Sequence, residues 1–424
     1  MVVAERVREE KSGRTLGDTS HVPRRGLVHD SIELFSGAGG LAIGTHQAGF
    51  HHRMLLEWNA DACKTISANA AAESIPGIRS WRVLQADARD VDFSAFGPVD
   101  LIAGGPPCQP FSIGGKHRGM GDTRDMIPPF VRAVRELAPR AFILENVRGL
   151  LRTTFRSYFS YVLLQLAHPT LTVRDSESWD DHLRRLEDHH TSGRDSELHY
   201  NVVFRLLNAA DYGVPQTRER VFIVGFRSDT KIEWHFPEPT HSRDALMTSQ
   251  WVAGDYWERH ALMPPQHPSP LLAARGMRPV SLLLDHRQPW RTVRDAIADL
   301  PEPRTDRDKI DGYTNHRLRP GARSYKGHTG SPLDWPSKTL KAGDHSVPGG
   351  ENMIAFADGT VRYFTIREAA RMQTFPDAWH FEGAWSEAMR QLGNAVPVTI
   401  ANVIAESVAS RLDGNESAKL TTHW

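Results

Sequence analysis

The sequence predicts a doubly wound α/β sheet joined to a smaller domain of irregular β structure. Short apolar runs alternate with helical segments from residue 31 to residue 144, as expected for parallel strands linked by crossover helices. A glycine-rich turn follows the first run, where such folds commonly hold a ligand. Between residues 302 and 361, glycines, prolines and short β-like pieces replace the alternation. A chain of 424 residues suits this two-part arrangement.

The predicted elements follow from these patterns in chain order. Runs rich in Val, Ile, Leu and Phe predict buried strands at 31–36, 52–57, 82–85, 99–103, 141–144, 200–208 and 220–226. Apolar residues at helical spacing predict helices at 39–49, 59–71, 127–137 and 291–300. Asn59 is expected to cap the second helix, and Pro301 to end the fourth. The stretch 365–412 is expected to be helical again.

Composition divides the chain into four parts. Residues 1–29 are polar and charged without periodicity, which predicts a disordered arm. The sheet domain is expected at 30–301, with a charged insertion at 172–199 and a proline-rich one at 237–290. The smaller domain is expected at 302–380, and residues 381–424 are expected to form helices that return to the sheet domain.

Charge, cysteine content and hydropathy limit the class of protein. The formal net charge is zero, so any surface for nucleic acid must be local. The two cysteines, Cys63 and Cys108, exclude a disulfide framework and a Cys-rich zinc site, and we expect no bound metal. No apolar stretch reaches the length of a membrane span, and residues 1–30 lack an apolar signal core. We therefore expect a cytoplasmic protein without a membrane partner.

The turn after the first strand predicts a nucleoside-binding site. The residues expected to lie against the ligand there are Gly37, Gly39 and Gly40. Glu57, at the end of the second strand, can accept hydrogen bonds from both ribose hydroxyls. Trp58 offers a flat face for an adenine, and Asp87 an acceptor for its amine. The glycine pattern fits NAD equally well, and a tight turn without a ligand also stays open.

Three further motifs lie at the ends of predicted strands. In the run GGPPCQPFS, two prolines place Cys108 in a stiff loop, since proline favours neither a strand ladder nor a following helix. This thiol is a candidate nucleophile, with a small buried hydrophobe as the alternative. Glu145 follows the next strand and would share the same sheet edge, or be a salt-bridged carboxylate. Arg218 and Arg220, in QTRER, precede another strand and also fit a charged strand start.

These motifs together resemble the DNA (cytosine-5) methyltransferases. The resemblance consists of ELFSGAGGL, GGPPCQPFS, ENVRG, QTRER, REAARMQTFPD and QLGNAVPV, in that order, and covers about residues 32–398. Glu33 stands where many relatives have Asp, and the insertion at 172–199 is longer than in compact members. The resemblance implies the sheet of S-adenosylmethionine-dependent methyltransferases at 30–301, and a target recognition domain at 302–380.

The resemblance also implies a reaction and roles for individual residues. The Cys108 thiolate would add to C6 of cytosine, so that C5 can attack the methyl group of S-adenosylmethionine. Glu145 would donate a proton or hydrogen bond at N3, and Arg220 would hold O2, with Arg218 in the same pocket or on a phosphate. The residues implied for the cofactor are Phe35, Ser36, Gly37, Gly39, Gly40, Glu57, Trp58, Asp87, Pro107, Asn394 and Val396.

Double-stranded DNA is the implied partner, and the target cytosine must leave the base stack to reach the thiol. The glycine-rich loop at 113–124 is expected to close over it. The window 312–333 contains several cations and no acidic residue, which favours phosphate and base contacts. The residues expected to contact DNA are Lys116, Arg118, Arg124, Arg317, Arg319, Arg323, Lys326 and Thr339.

Three rival functions compete with this interpretation. A tRNA cytosine-5 methyltransferase shares the fold and the thiolate chemistry, but the long segment before Arg362 favours DNA. A non-catalytic DNA-binding regulator would not need intact Cys108, Glu145 and Arg220. An NAD dehydrogenase leaves every motif except the glycine turn unexplained. We therefore expect a monomeric modification enzyme of bacterial type, paired with a restriction endonuclease of the same specificity.

Overall fold

The computed structural model describes residues 29–107, 125–193, 198–266, 285–326, 328–342 and 352–414. Its main strands are β1 His29–Leu34, β2 Phe50–Glu57, β3 Val83–Gln85, β4 Leu101–Gly104, β5 Ala141–Val147, β6 Tyr200–Asn208 and β7 Glu219–Arg227. They form one sheet in the order β3-β2-β1-β4-β5-β7-β6. The order reverses beside β1, which leaves a crevice at the carboxyl ends of β1 and β4, where such folds bind ligands.

The helices alternate with these strands and continue beyond them. They are α1 Gly40–Gln47, α2 Ala60–Ala72, α3 Ile127–Leu137, α4 Arg156–Ala167, α5 Trp179–Thr191, α6 Arg243–Thr248, α7 Asp255–Arg259, α8 Val293–Ile297, α9 Ile366–Met372, α10 Trp385–Asn394 and α11 Val398–Leu412. Asn59 caps α2 as expected, since its side chain accepts from the amide of Ala62 at 2.9 Å. The charged insertion contains α5, which is largely exposed.

The predicted α/β class is confirmed, with a mixed sheet rather than a fully parallel one. The neighbouring strands from β3 to β5 pair in parallel, whereas β7 runs antiparallel to both β5 and β6. Antiparallel strands need only a short connection, and residues 209–218 supply it between β6 and β7. Because β7 is reversed, Arg220 at its start pairs with Val147 at the end of β5. The QTRER motif therefore reaches the carboxyl edge of the parallel strands.

Helices cover both faces of the sheet. On one face, Ile102 and Phe142 pack into a cluster with Phe130 of α3. On the other, Ile143 packs with Ile400 and Ile404 of α11. The two apolar faces explain why the central strands read as continuous apolar runs. The last described helix thus packs on the sheet.

The remaining strands are short. They are β8 His241–Ser242, β9 Gln288–Pro289, β10 Ser331–Pro332, β11 Met353–Ala355 and β12 Val361–Tyr363. β10, β11 and β12 form a three-stranded sheet, and β8 pairs with β9. Tyr256 and Trp257 of α7 form an apolar cluster with Trp335, so the proline-rich insertion packs against the irregular β segment. The domain boundaries themselves stay a prediction.

The expectation that no apolar stretch reaches the length of a membrane span is wrong for one stretch of the described chain. Trp385–Leu412 has the length and apolar composition of a membrane-spanning helix. Most of this stretch is buried inside the protein, and residues 395–397 separate it into α10 and α11. Its apolar character therefore reflects packing in the core of the fold.

Candidate active site

The turn after β1 is held open by its backbone conformation and by Glu57. Phe35, Gly37 and Gly39 adopt left-handed backbone angles, with φ of 59°, 53° and 90°. The Glu57 carboxylate accepts from the amides of Gly37 and Asn59, both at 2.8 Å. A Cβ added to Gly37 would meet no described atom within 4 Å. A ligand can therefore approach the backbone at Gly37, beside a carboxylate fixed in place.

The other glycines of the turn serve packing. A Cβ on Gly40 would lie 2.2 Å from the carbonyl oxygen of Val396, and one on Gly39 would lie 3.2 Å from the Trp379 ring. Gly40 therefore lets the segment at 395–397 approach the start of α1 closely, and Gly39 leaves room for the Trp379 ring. Ser36 is buried, and its hydroxyl lies 3.3 Å from the Glu33 carbonyl and 3.4 Å from that of Leu56.

The side chains predicted for the adenine differ in availability. Trp58 directly follows β2 and is 72% exposed, so its ring is accessible to a stacking partner. Asp87 instead binds the Arg89 guanidinium, with Nε 3.0 Å from Oδ1, and this contact lowers the pKa of the carboxyl group. An amine at Asp87 would therefore share the carboxylate with Arg89. Asn394, at the end of α10, is exposed.

Glu145 and Arg220 form a nearly buried ion pair. Nε of Arg220 lies 2.8 Å from Oε1 of Glu145, and the two side chains are 15% and 8% exposed. Burial raises the pKa of Glu145, opposed by the charges of Arg220 and Arg218. A Cβ on Gly105 would lie 3.0 Å from the Glu145 carboxylate, so this glycine leaves space beside it. A carboxyl group with a raised pKa can donate a proton to a bound base.

Arg218 has a different environment from Arg220. It is 1% exposed, and its guanidinium donates to the carbonyls of Leu340 at 3.1 Å, Gly393 at 2.8 Å and Ala395 at 2.9 Å. These hydrogen bonds join parts of the chain to each other. The guanidinium is buried, so it is not accessible to a phosphate. Arg218, the residue before β7, therefore connects this strand to the end of α10, where Asn394 lies between the two carbonyls at Gly393 and Ala395.

A seam joins residues 215–218 to residues 337–340. The Ser337 amide donates to the Pro215 carbonyl, and the Thr217 amide donates to the Ser337 carbonyl, both at 2.9 Å. The hydroxyl of Thr339, predicted to contact DNA, donates to the Thr217 carbonyl at 2.7 Å. The seam therefore ties the irregular β segment to the strand that carries Arg220.

The loop predicted to carry the nucleophile is described only as far as Pro107, which is exposed. Cys108 and the cations Lys116, Arg118 and Arg124 lie outside the described residues. The described part of the loop is hydrogen-bonded to β5, the strand that contains Glu145, since Nδ2 of Asn146 donates to the Pro106 carbonyl at 3.3 Å. The start of this loop and Glu145 therefore share one edge of the sheet.

The window 312–333 contains four cations that were predicted to contact DNA, and all four are exposed: Arg317, Arg319, Arg323 and Lys326. Nε of Arg317 donates to the Thr305 carbonyl at 2.8 Å, and the Arg319 guanidinium lies 5.6 Å from the centre of the Trp385 ring. Exposed cations on an ordered surface can contact phosphates.

The sequence did not identify the side chains that position the predicted groups. Arg89, Asn146 and Gln216 have this role, and Oε1 of the buried Gln216 accepts from the Leu340 amide at 3.2 Å. The spacing of Arg89, two residues after Asp87, is a local signal for their ion pair. The partners of Asn146 and Gln216 lie 40 and 124 residues away, so no local pattern indicates them.

Comparison with known proteins links this geometry to one family. The model of the C-5 cytosine-specific DNA methylase family matches residues 29–169 and 194–410. The type II methyltransferase M.Eco47II of Escherichia coli is 31% identical over 407 residues, which cover 91% of this chain and 80% of that protein. The type II methyltransferase M.NgoMIV of Neisseria gonorrhoeae is 28% identical over 391 residues, covering 90% and 97%.

Solved structures of similar fold support the same architecture. A prophage-encoded protein of E. coli, described as a DNA modification methyltransferase, superposes with a TM-score of 0.55 at 21% identity, covering 91% of this chain and 100% of that one. The S. pombe Dnmt2 methyltransferase gives a TM-score of 0.52 at 16% identity, covering 92% and 100%. At this level of identity the two structures show a shared fold.

Proposed function

The chain belongs to the C-5 cytosine-specific DNA methylase family and is a DNA cytosine-5 methyltransferase. We propose that it methylates a cytosine flipped out of a specific double-stranded DNA sequence. The observation that carries this proposal is the buried pair of Glu145 and Arg220, 2.8 Å apart at the edge where the loop preceding Cys108 begins. A protonated carboxyl group beside a guanidinium suits a cytosine ring, which offers N3 and O2 side by side.

In the proposed reaction, the Cys108 thiolate forms a bond to C6 of the cytosine. Glu145 donates its proton at N3, which neutralises the charge that develops on the ring, while Arg220 donates a hydrogen bond to O2. C5 then carries the electron pair that accepts a methyl group. A base, for which water suffices, removes the proton from C5, the double bond between C5 and C6 reforms as the thiolate of Cys108 leaves, and N3 returns its proton to Glu145.

S-adenosylmethionine, when bound, supplies the methyl group. The open backbone at Gly37, the buried Glu57 and the exposed Trp58 fit its nucleoside part, since they offer close approach, an acceptor for ribose hydroxyls and a stacking face. Arg218 is proposed as a positioning residue that holds the segment containing Asn394 at this end of the sheet.

We place the enzyme in a type II restriction-modification system, acting as a monomer on unmodified duplex beside a cognate endonuclease. The support for this assignment is the set of relatives, M.Eco47II and M.NgoMIV among them, that are named as type II methyltransferases and match nearly the whole chain. A cytoplasmic location follows from such a role.

The test is expression in a host that lacks cytosine methylation, followed by bisulfite sequencing of its DNA and its tRNA. We expect 5-methylcytosine in one short DNA sequence and none in tRNA. Methylated tRNA with unmethylated DNA would instead establish the tRNA methyltransferase. Cys108→Ser is the matched control, because a serine hydroxyl ionises far less readily than a thiol of pKa about 8.5. That variant should retain S-adenosylmethionine binding and leave the DNA unmethylated.

A covalent intermediate has its own test. Duplex DNA that carries 5-fluorocytosine at the mapped target cannot lose a proton from C5, so the enzyme should remain attached to it through Cys108. Under turnover conditions we expect a denaturation-resistant complex with the wild-type protein and none with Cys108→Ser. A wild-type enzyme that methylates cytosine yet forms no such complex would contradict the thiolate mechanism.

A further inference from the structure

Tyr325 and His328 pair in the irregular β segment. The His328 amide donates to the Tyr325 carbonyl at 2.8 Å, and the Tyr325 amide donates to the His328 carbonyl at 3.2 Å. The two rings stack with 4.2 Å between their centres and 32° between their planes. The Tyr325–His328 pair therefore holds the tyrosine ring in one orientation, which lowers the entropic cost of using it in a contact.

Tyr325 differs from the other tyrosines of the chain. Its side chain is 55% exposed, whereas the other seven are buried or half-buried. A single exposed ring is common on protein surfaces, so its surroundings decide what it can bind. One face of this ring lies on His328, and the phenol carries a hydroxyl able to donate and accept hydrogen bonds.

The sequence on both sides of Tyr325 is rich in cations. Arg319, Arg323 and Lys326 are exposed close to it in the chain, and no acidic residue occurs between residues 312 and 333. In a protein with no net charge, this local excess of cations favours a polyanion over an acidic or neutral protein surface. An aromatic residue among exposed cations matches a duplex, whose phosphates lie beside its base edges.

The Tyr325–His328 pair is also connected to the active-site edge. Nζ of Lys338 donates to the hydroxyl of Thr329 at 3.0 Å, and the Lys338 amide donates to the Ser331 hydroxyl at 3.0 Å. The next residue, Thr339, belongs to the seam with residues 215–218. Its partner there is Thr217, which precedes Arg220 by three residues in the chain. These contacts connect the chain just after the pair to the seam beside Arg220, so a duplex whose target cytosine lies at Arg220 can extend toward the pair.

We propose that Tyr325 reads a base pair of the target sequence, with Arg323 and Lys326 on the adjacent phosphates. The proposal rests on the proposed function. The phenol group can donate to or accept from a base edge in a groove, and its ring can pack on a sugar or a thymine methyl group. Removal of Tyr325 should consequently change which sequences are methylated. Removal of a phosphate contact should instead weaken binding to all sequences equally.

The experiment compares wild type, Tyr325→Phe and Tyr325→Ala on duplexes that carry every single-base-pair change of the mapped target sequence. Wild-type methylation of the mapped duplex is measured first, and its absence would overturn the proposed function rather than this inference. Val252→Ala is the matched control, since Val252 is 71% exposed and lies in the proline-rich insertion, outside the window 312–333. S-adenosylmethionine affinity and thermal stability are measured for each variant.

For Tyr325→Ala we expect kcat/KM on the mapped sequence to fall about tenfold or more, with discrimination lost at one base pair and kept at the others. Tyr325→Phe should show the same loss at the same position if the hydroxyl makes the contact, or wild-type discrimination if the ring does. Cofactor affinity should not change in either variant. An equal loss on every duplex, or unchanged discrimination in Tyr325→Ala, would overturn the inference.

Discussion

Nε of Arg220 lies 2.8 Å from Oε1 of Glu145, and neither side chain is more than 15% exposed. Two opposing influences act on this carboxyl group. Burial disfavours its ionised form, whereas the guanidiniums of Arg220 and Arg218 favour it. Burial has the larger effect, so the pKa of Glu145 lies above its ordinary value. The raised pKa makes protonation of this carboxyl group easier, and the contact with Arg220 keeps it oriented.

Glu145→Gln should reduce kcat by about 10² to 10⁴, the range typical of general acid catalysis, and leave S-adenosylmethionine binding unchanged. The amide can still donate a hydrogen bond but cannot transfer its proton to N3. In the wild type, kcat should fall as the pH rises through the raised pKa of Glu145, because the protonated form is the active one. Rapid-quench measurements of methyl transfer at a series of pH values give both the loss of kcat and its pH dependence.

The alkaline decrease should be absent from the pH profile of Glu145→Gln. Glu233→Gln removes an exposed carboxylate and is the matched control, with a wild-type profile expected. An unchanged kcat in Glu145→Gln would refute the role of this carboxyl group as a proton donor.

Arg218→Met should lower the free energy of unfolding by about 3 kcal/mol or more, because three buried carbonyls at Leu340, Gly393 and Ala395 would lose their donors. Arg218→Lys retains the charge and a single donor nitrogen, and should therefore lose less of the free energy of unfolding than Arg218→Met. If the arginine positions the Asn394 segment, the lysine variant should also show a weaker affinity for S-adenosylmethionine while folded. Chemical denaturation and calorimetry measure the two effects, with Arg184→Lys on the exposed face of α5 as control.

Glu57→Ala combined with Trp58→Ala should weaken S-adenosylmethionine binding and spare DNA affinity. The carboxylate of Glu57 holds the turn at Gly37 through a 2.8 Å hydrogen bond, and the Trp58 ring is the exposed face beside it. Stacking on the ring and the ribose contacts both belong to the cofactor side of the sheet. Calorimetric titration with S-adenosylmethionine and with NADH decides the matter, since NADH binding in its place would favour the dehydrogenase alternative.

The fold should lose stability in mild acid because of His52. This fully buried imidazole lies 3.0 Å from the hydroxyls of Ser31 and Thr45, and burial lowers its pKa from 6.5 to about 3. Between those two pH values the unfolded chain binds a proton that the folded chain excludes. Stability should therefore decrease as the pH falls from 6.5 toward 3, by at most about 1.4 kcal/mol per pH unit from this group.

His52→Gln should flatten this dependence, since glutamine does not titrate, whereas the exposed His235→Gln should leave it unchanged. Urea denaturation at a series of pH values measures the slope. Equal slopes in the wild type and His52→Gln would show that other groups cause the acid sensitivity.

Much of the sheet follows from the sequence because its causes are local. Alternating apolar runs and helical segments predicted β1 to β5, and the glycine turn was predicted to lie between β1 and α1. The direction of β7 could not be predicted, since an apolar run reads equally well in either direction. Its reversal depends on the short connection at 209–218 and on pairing with β6.

The two arginines of QTRER show the same limit within the site. Arg218 and Arg220 are two residues apart and chemically identical, so their spacing gives no means of assigning separate roles. The fold separates them through distant partners, because Arg218 meets carbonyls 122 to 177 residues further along the chain, whereas Arg220 meets Glu145 across the sheet. Contacts at such separations depend on the whole topology.

Exchange of residues 302–361 for the equivalent segment of a relative should move methylation to that relative's sequence. The segment carries the exposed cations of the window 312–333 and supplies neither member of the Glu145–Arg220 pair, so it can change without altering the reaction. Two contacts must survive the exchange: the seam, which needs a hydroxyl equivalent to Thr339, and the packing of Trp335 against Tyr256 and Trp257. Bisulfite maps at several salt concentrations measure the result. An active chimera that methylates only the original sequence would locate recognition elsewhere, with the proline-rich insertion at 237–290 as the next segment to exchange.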